Sequence, residues 1–358
     1  MAMTRRDAVN DAYERLSGLG FTMAPGFAMH GPMVAETLST LGRNDAVAPW
    51  VEHYKAKRRH LPPPPPQAPI DEAGWQGALG DAVRTADWLA FFRRTLAAEP
   101  WQGVLATWVP RLLDGHAGGL THGLIRTAHA VRAIPAGETP TALERDELAH
   151  GLAYWAATYR RAAGDPDAHG DLDVAAALRA LPREAPQAPR PGPPRNPAAG
   201  DELPGLAEAV ERLAAADDAD AAISRHSAAM ARLLLAHAEL RPIPLIQLIH
   251  SITAPVAARN LLPFLSPRRD AWIYACLWRV SAAIVARMAP LLAQGSELEP
   301  KIEAPALTEE ELVARAVEHR DDHAIKLTEA LLREDRRRPD PAYRAAAEAV
   351  LDRLPRWT

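Results

Sequence analysis

Histidines are the residues of this 358-residue chain that most clearly offer metal chemistry, since it has thirteen of them and a single cysteine. His319 and His323 lie four residues apart in the helical pattern 308–335, with Lys326 one turn further on. Two imidazoles at this spacing on a helix can reach one metal ion. An ion pair between Asp322 and Lys326, with both histidines at a solvated edge, explains the same pattern equally well. Both interpretations stay open.

His250 ends an almost wholly apolar stretch, residues 244–249, which predicts a buried helix. A buried imidazole needs a polar partner, because burying it without one costs free energy. The partner is either a neighbouring carbonyl group or a metal ion. The residues alone do not distinguish the two.

A second helix is predicted over 120–134, with His122, Arg126 and His129 on one side. An arginine one turn from a histidine is suited to an anionic or quinone oxygen in a cavity. A solvated helix face explains the three polar residues as well.

Two further histidines lie beside turns. His30 stands directly before Gly31-Pro32, where a helix is expected to begin, and a rigid turn there can direct a ligand inward. His116 lies in the glycine-rich loop 114–119 and is a candidate for a loop residue beside the cavity. The chain has no Rossmann fingerprint, Walker loop, nucleophile elbow or pair of cysteines, so flavin or nicotinamide binding by a known motif is not expected.

The elements that must position these residues are helices. Alternating β-branched runs are scarce, and the apolar periodicity is helical almost throughout. We expect an all-α protein, a large multi-helix bundle-like single fold with a central metal cavity and little or no sheet. The proline-rich segment 182–200 is interpreted as a loop or linker between helical halves 1–181 and 201–358, which together form one compact domain.

Composition excludes several classes of protein. Hydrophobic residues make up 48% and charged residues 24%, which is typical of a folded globular chain. The 41 basic and 45 acidic residues give a net charge of -4, so nucleic acid is not expected as a partner. No secretory signal is visible, which predicts a cytoplasmic protein. Arg279 and Arg287 interrupt the apolar stretch 271–292, so no membrane span is expected, and the oligomeric state is not indicated.

The same histidine segments resemble the questin oxidase-like family, a family of helical proteins. The similarity lies in five segments that occur in the family's order. They are His30-Gly31-Pro32-Met33 with Leu41-Gly42, residues 116–126 with Thr121-His122-Gly123-Leu124-Ile125, Gly151-Leu152-Ala153-Tyr154-Trp155, His250-Ser251-Ile252-Thr253-Ala254-Pro255, and Asp322-His323-Ala324-Ile325-Lys326-Leu327.

The resemblance implies oxidative tailoring or ring opening of anthraquinone-type polyketides at a nonheme iron centre. Carried over by position, the implied Fe(II) ligands are His30, His122, His250 and His323, with Lys326 as a fifth. A protonated lysine has no lone pair for a metal, so Lys326 would have to be carboxylated to a carbamate.

The resemblance also bears on the catalytic residues. We expect Arg126 to orient a substrate oxyanion, and His129 and His116 are further catalytic candidates. Met33 and Arg126 stand where fungal relatives are expected to have histidine, so the substrate contacts are expected to differ.

The expected function is therefore a nonheme iron oxygenase that uses dioxygen on a polycyclic aromatic small molecule. Oxidative ring cleavage and Baeyer–Villiger-like oxygen insertion both fit, and an external reductant such as NADPH would have to bind without a recognisable motif. Two alternatives stay open. One is a helical binding or scaffold protein with the histidines in its core, and the other is a zinc hydrolase that uses the same histidines.

Overall fold

The computed structural model describes residues 3–182, 203–288, 302 and 306–357. This part of the chain forms fifteen α-helices and one two-stranded antiparallel sheet, in which β1 (Thr22–Met23) pairs with β2 (Phe27–Ala28). The predicted all-α class is therefore confirmed. Apart from Pro182, the proline-rich segment 182–200 lies outside the described residues.

The chain divides into two compact units. The first comprises Met1–Arg160 with Ala257–Leu265, and the second comprises Arg161–Val256 with Ser266–Thr358. The sequence placed the division at 182–200, whereas the chain leaves the first unit after Arg160 and returns to it briefly. The interpretation of the two halves as one compact domain stays a prediction.

The described residues of the first unit form seven helices around an aromatic core. Trp88 and Trp108 are fully buried there, and their rings meet edge to face with centroids 5.6 Å apart. Thr141 and Glu144 form a capping box that satisfies two amide donors where the seventh helix begins. The helices are α1 (Arg5–Leu16), α2 (Gly31–Thr40), α3 (Asn44–Lys57), α4 (Thr85–Ala98), α5 (Trp101–Leu112), α6 (His122–Ala133) and α7 (Ala142–Ala157).

Helices α6 and α7 approach each other closely because glycines stand at their crossing. A β-carbon on Gly123 would lie 2.4 Å from Cα of Trp155, and one on Gly151 would lie 2.8 Å from Oγ1 of Thr127. Any larger residue at either position would push the two backbones apart. The glycines thus determine where α6, with its histidines, lies against α7.

The described part of the second unit contains eight helices, several of which begin at an aspartate or threonine cap. The side chains of Asp173, Asp218 and Asp340 each accept a hydrogen bond from a first-turn amide. The helices are α8 (Val174–Arg179), α9 (Leu206–Val210), α10 (Ala219–Ala236), α11 (Pro242–Ala258), α12 (Asp270–Met288), α13 (Glu309–His319), α14 (Asp322–Arg337) and α15 (Pro341–Arg353).

The prediction of a single helix over 308–335 is wrong, because the helix is interrupted between α13 and α14. Its start is as expected, with a capping box between Thr308 and Glu311. Arg320 then adopts a left-handed backbone with φ 64°, which ends α13. The side chain of Asp321 accepts hydrogen bonds from the backbone amides of His323 and Ala324 and caps the start of α14. The shared helix face that motivated the His319–His323 pair therefore does not exist.

Helix α12 lies in the core of the second unit. The indole N–H of Trp278 donates to the carbonyl of Val210 at 3.0 Å, and the guanidinium of Arg279 donates to the carbonyls of Ala162 and Ala163. The stretch Pro267–Met288 is long and apolar enough to cross a membrane, but 83% of its apolar window is buried inside the structure. A core helix passes the same test of length and composition, so the absence of a membrane span stays a prediction.

Gly151→Ala tests the close approach of α6 and α7. Alanine in a helix interior normally raises stability over glycine, but here its β-carbon overlaps Thr127. We expect Gly151→Ala to lower the free energy of unfolding by about 1–3 kcal/mol. The measurement is urea unfolding followed by circular dichroism.

Gly103→Ala is the matched control, because Gly103 lies in α5 with no atom within 4 Å of its added β-carbon. That variant should gain up to about 1 kcal/mol. An equal gain in Gly151→Ala would show that the two helices do not need glycine at the crossing.

Candidate functional site

His30 and His122 form a buried imidazole pair in the first unit. His30 is the N-cap residue of α2, and its backbone N–H donates to the Tyr54 hydroxyl at 2.8 Å. His122 is the first residue of α6. Their Nε2 atoms lie 2.7 Å apart, and the side chains belong to residues that are only 3% and 6% exposed. The structure thus brings together two candidate ligands that are 92 residues apart in the chain.

The hydrogen bond at Nδ1 of His122 determines which nitrogen of this ring carries the lone pair. Nδ1 of His122 lies 2.7 Å from the carbonyl oxygen of Gly119. Because a carbonyl can only accept, Nδ1 carries the proton and Nε2 carries the lone pair. That lone pair can accept a proton shared with His30, or it can bind a metal ion at about 2.0–2.1 Å, the usual distance for imidazole on zinc.

His250 and His323 form a second buried imidazole pair, in the second unit. Their ring centroids lie 5.5 Å apart at 64°. Nδ1 of His250 lies 2.8 Å from the carbonyl oxygen of Ile246, and Nδ1 of His323 lies 2.6 Å from a carboxylate oxygen of Asp322. The Ile246 carbonyl holds the proton of His250 on Nδ1, so that ring keeps Nε2 as the ligand atom, as metal-binding histidines usually do. The contact of His323 with Asp322 is an ion pair without hydrogen-bond geometry, so it does not fix the tautomer of His323.

Two aspartates join His323 in a group that the sequence analysis missed. Donor atoms of Asp321, Asp322 and His323 lie within 4.8 Å of one another. Sequence reasoning assigned Asp322 a role only as an ion-pair partner of Lys326 and as the first residue of a family segment, and it assigned Asp321 no role. The three consecutive residues Asp321, Asp322 and His323 could have indicated the group. The capping role of Asp321, however, depends on the end of α13 at Arg320, which the apolar periodicity does not predict.

Burial governs the charges of this group. Burial, with the neighbouring charge of Asp322, raises the pKa of Asp321. Burial lowers the pKa of Lys326 to about 8, against the opposing effect of the two aspartates. More of Lys326 is therefore the neutral amine than of an exposed lysine.

Arg126 is held by a carboxylate that the sequence analysis did not identify. Its Nε and Nη2 donate to the two carboxylate oxygens of Glu147 at 2.6 and 2.7 Å. Burial lowers the pKa of Arg126, but Glu147 outweighs it, so the pKa is raised. The adjoining cavity in the first unit is about 30 Å³, which is room for water and not for a polycyclic ring. Glu147 thus already occupies two N–H groups of Arg126, and these two groups are not open to a substrate oxyanion.

His129 belongs to a network around the fully buried Glu36. Nδ1 of His129 and Nη2 of Arg132 lie 2.7 and 2.6 Å from one oxygen of that carboxylate, and Arg5 donates to the other oxygen at 2.6 Å. Burial would raise the pKa of Glu36, but the Arg132 charge and the His129 hydrogen bond hold it well below its usual range. No sequence pattern identified Glu36, because its partners lie on other helices.

His116 and His319 make local structural contacts. Nδ1 of His116 lies 2.7 Å from the Leu113 carbonyl, and its backbone bridges to Arg160. Nε2 of His319 lies 3.0 Å from the Leu354 carbonyl, at the end of α15. These contacts describe turn and packing residues.

Glu36→Gln tests the network. The depressed pKa means that ionised Glu36 stabilises the fold above its unfolded-state pKa of about 4.3. We expect the variant to lose about 3 kcal/mol of stability near neutral pH, because Arg132 and Arg5 lose their buried counter-charge. The deficit should shrink as the pH falls from about 4.3 towards the lower folded-state pKa.

Urea midpoints measured across that pH range check the prediction. Glu318→Gln is the control, since Glu318 is exposed on α13. It should change stability by less than about 0.5 kcal/mol. A Glu36→Gln deficit that stays constant down to acid pH would contradict the ionised, network-bound carboxylate.

Comparison with known families gives one match, and its range includes most of the candidate residues. The model described as Questin oxidase-like matches residues 48–331, well over half of the chain. The match includes His122, His250, His323 and Lys326, and His30 precedes it. A comparison with curated proteins finds no match. The family description indicates an oxidase, and the resemblance predicted from the sequence is confirmed: the chain belongs to the questin oxidase-like family.

Proposed function

We propose that the protein is a nonheme iron-dependent oxygenase that acts on a polycyclic aromatic small molecule, an anthraquinone or a related polyketide. The observation that carries the proposal is the buried His30–His122 pair, whose Nε2 atoms lie 2.7 Å apart with Nδ1 of His122 bound to a carbonyl. A buried histidine that only packs in the core can satisfy its ring with one carbonyl, and it does not require a second imidazole beside its other nitrogen. Membership of an oxidase family supports the same class of chemistry.

The ligands we propose are His30, His122, His250 and His323. Two of these rings, His122 and His250, have Nδ1 hydrogen-bonded to a backbone carbonyl, which leaves Nε2 for the metal. Iron bound there would supply the redox chemistry with dioxygen and the deprotonated substrate. The protein's own contribution is to hold the imidazoles in one tautomer and one orientation before the metal arrives.

We further propose that Lys326 is a fifth ligand after carboxylation of its amine by carbon dioxide. Lys326 is buried on α14, one turn after His323. A carbamate there would place an anionic oxygen beside the imidazole ligands, where an ammonium group would repel the metal. The negative charges of Asp321 and Asp322 favour a positive charge nearby, which is the ammonium group in the unmodified lysine and would be the metal ion beside the carbamate.

The catalytic roles of Arg126, His129 and His116 remain proposals. Glu147 neutralises Arg126, so Arg126 could bind a substrate oxygen only through N–H groups that Glu147 does not use. His129 would act through Glu36, and His116 would shape the turn before α6. We propose dioxygen as co-substrate, while ring cleavage and Baeyer–Villiger-like insertion remain the two outcomes, the second of which needs an external reductant such as NADPH.

Iron content tests the ligand set. Protein purified without oxygen and loaded with Fe(II) should bind one iron per chain, and His122→Ala or His250→Ala should lose most of it. His237→Ala is the matched control, because His237 is also buried with Nδ1 bound to a carbonyl one turn earlier. Elemental analysis gives the metal, and an oxygen electrode with a hydroxyanthraquinone gives the reaction.

The outcomes separate three functions. Iron with quinone-dependent oxygen uptake supports the proposal. Retained zinc with no oxygen uptake favours the zinc hydrolase. A folded protein that binds no metal through these histidines favours the non-catalytic binding protein.

Lys326 variants test the carbamate. Lys326→Met should lower iron affinity, because the anionic ligand is lost, whereas Lys326→Glu should keep more of it by supplying a carboxylate. Removal of bicarbonate should weaken iron binding in the unmodified protein and leave Lys326→Glu unchanged. Equilibrium binding of Fe(II) under nitrogen measures both effects. Wild-type affinity in Lys326→Met would exclude the lysine as a ligand.

A further inference from the structure

The backbone directly before His122 is strained. Gly119, Leu120 and Thr121 have φ values of 57°, 51° and 67°, all left-handed. Glycine adopts this region readily, but leucine and the β-branched threonine do so at a cost. Among the described residues the only other non-glycine with positive φ is Arg320. Residues in such conformations persist where the surrounding structure holds them, and they cluster at functional sites.

Thr121 adds a second cost at the same turn. The residue is fully buried, and its hydroxyl has no hydrogen-bond partner in the part of the chain that the structure describes. A buried hydroxyl without a partner is uncommon and calls for a physical reason. Starting a helix requires neither a left-handed threonine nor an unbonded hydroxyl. The turn therefore serves something other than the start of α6.

Packing prevents the turn from relaxing. A β-carbon on Gly118 would lie 1.4 Å from the carbonyl oxygen of Thr158, so this backbone rests directly on the C-terminal end of α7. The amide of Arg160 donates to the carbonyl of Gly115 at 2.8 Å and fixes the loop from the other end. Both contacts lie within the first unit. The turn is thus clamped in its left-handed form.

The result of this clamp is the position of one carbonyl group. The turn brings the oxygen of Gly119 to 2.7 Å from Nδ1 of His122, although Gly119 is only three residues earlier. With the proton held on Nδ1, Nε2 of His122 can accept from Nε2–H of His30 at 2.7 Å. Both ring nitrogens of His122 are then satisfied in a single tautomer.

We propose that residues 119–121 form a positioning turn, in which the Gly119 carbonyl locks His122 in the Nδ1–H tautomer with Nε2 facing His30. The inference rests on the proposed function, which makes that Nε2 a metal ligand, and it names the residues that prepare it. Gly119 is a positioning residue, because it acts through His122 and contacts no metal itself.

Gly119→Ala is the variant that tests the turn. Its β-carbon would lie 3.1 Å from the hydroxyl of Tyr154 and 3.3 Å from Oγ1 of Thr158, so these side chains or the Gly119 backbone must give way by a few tenths of an ångström, and we expect the Gly119 carbonyl to move with them. Gly137→Ala is the matched control, because Gly137 also has positive φ, 79°, but has no atom within 4 Å of an added β-carbon. Both variants lose a left-handed glycine, and only the first places its β-carbon against neighbouring atoms in the turn before His122.

Two readouts are needed. Nitrogen-15 chemical shifts of the imidazoles in metal-free protein, above the usual histidine pKa of about 6.5, report which nitrogen carries the proton, with His122 assigned from His122→Gln. We expect Nδ1–H in the wild type and in Gly137→Ala, and a mixture of tautomers in Gly119→Ala. Affinity for Fe(II), measured without oxygen, should fall by about 10–100-fold in Gly119→Ala alone.

Each result decides one proposal. A wild-type His122 with its proton on Nε2 overturns the positioning turn. The positioning turn is also overturned if Gly119→Ala and Gly137→Ala have the same affinity for Fe(II) and lose the same free energy of unfolding. A wild type that binds no metal overturns the proposed function, and the tautomer measurement still decides the role of the turn.

Discussion

The structure depends on the requirement that every buried imidazole and charge finds a partner. A helical core offers few such partners, because its backbone amides and carbonyls are largely bonded to one another. Backbone carbonyl groups of Gly119 and Ile246 therefore accept from Nδ1 of His122 and His250, and a carboxylate of Asp322 lies 2.6 Å from Nδ1 of His323 as an ion-pair partner. In His122 and His250 the hydrogen bond leaves Nε2 for other chemistry.

Helix α6 shows how one element can serve several such partners. His122, Arg126 and His129 lie along it at intervals of four and three residues and contact His30, Glu147 and Glu36 respectively. Each partner comes from another segment of the first unit. The close glycine crossing with α7 keeps α6 in the position from which all three contacts can form together. Stability and the candidate site thus depend on the same packing.

The second unit meets the same requirement by breaking a helix. If α13 continued through Arg320, Asp321 would not cap the amides of His323 and Ala324. The break places two aspartates at the start of α14, beside His323 and one turn from Lys326. Their negative charge compensates a buried lysine and favours a cation in the same place. The acidic cluster is therefore a product of local backbone geometry.

The sequence by itself determined the all-α class, the helix start at Thr308 and the family, and the family resemblance supplied the four candidate histidines. Periodicity, cap residues and short motifs are local properties, so they can be read without the fold. Only the tertiary structure decided the partners. Glu36 lies 93 residues from His129, and no local pattern connects them. It also decided the break at Arg320 and the left-handed turn at 119–121, because leucine, threonine and arginine enter that backbone region only when surrounding contacts compensate the strain.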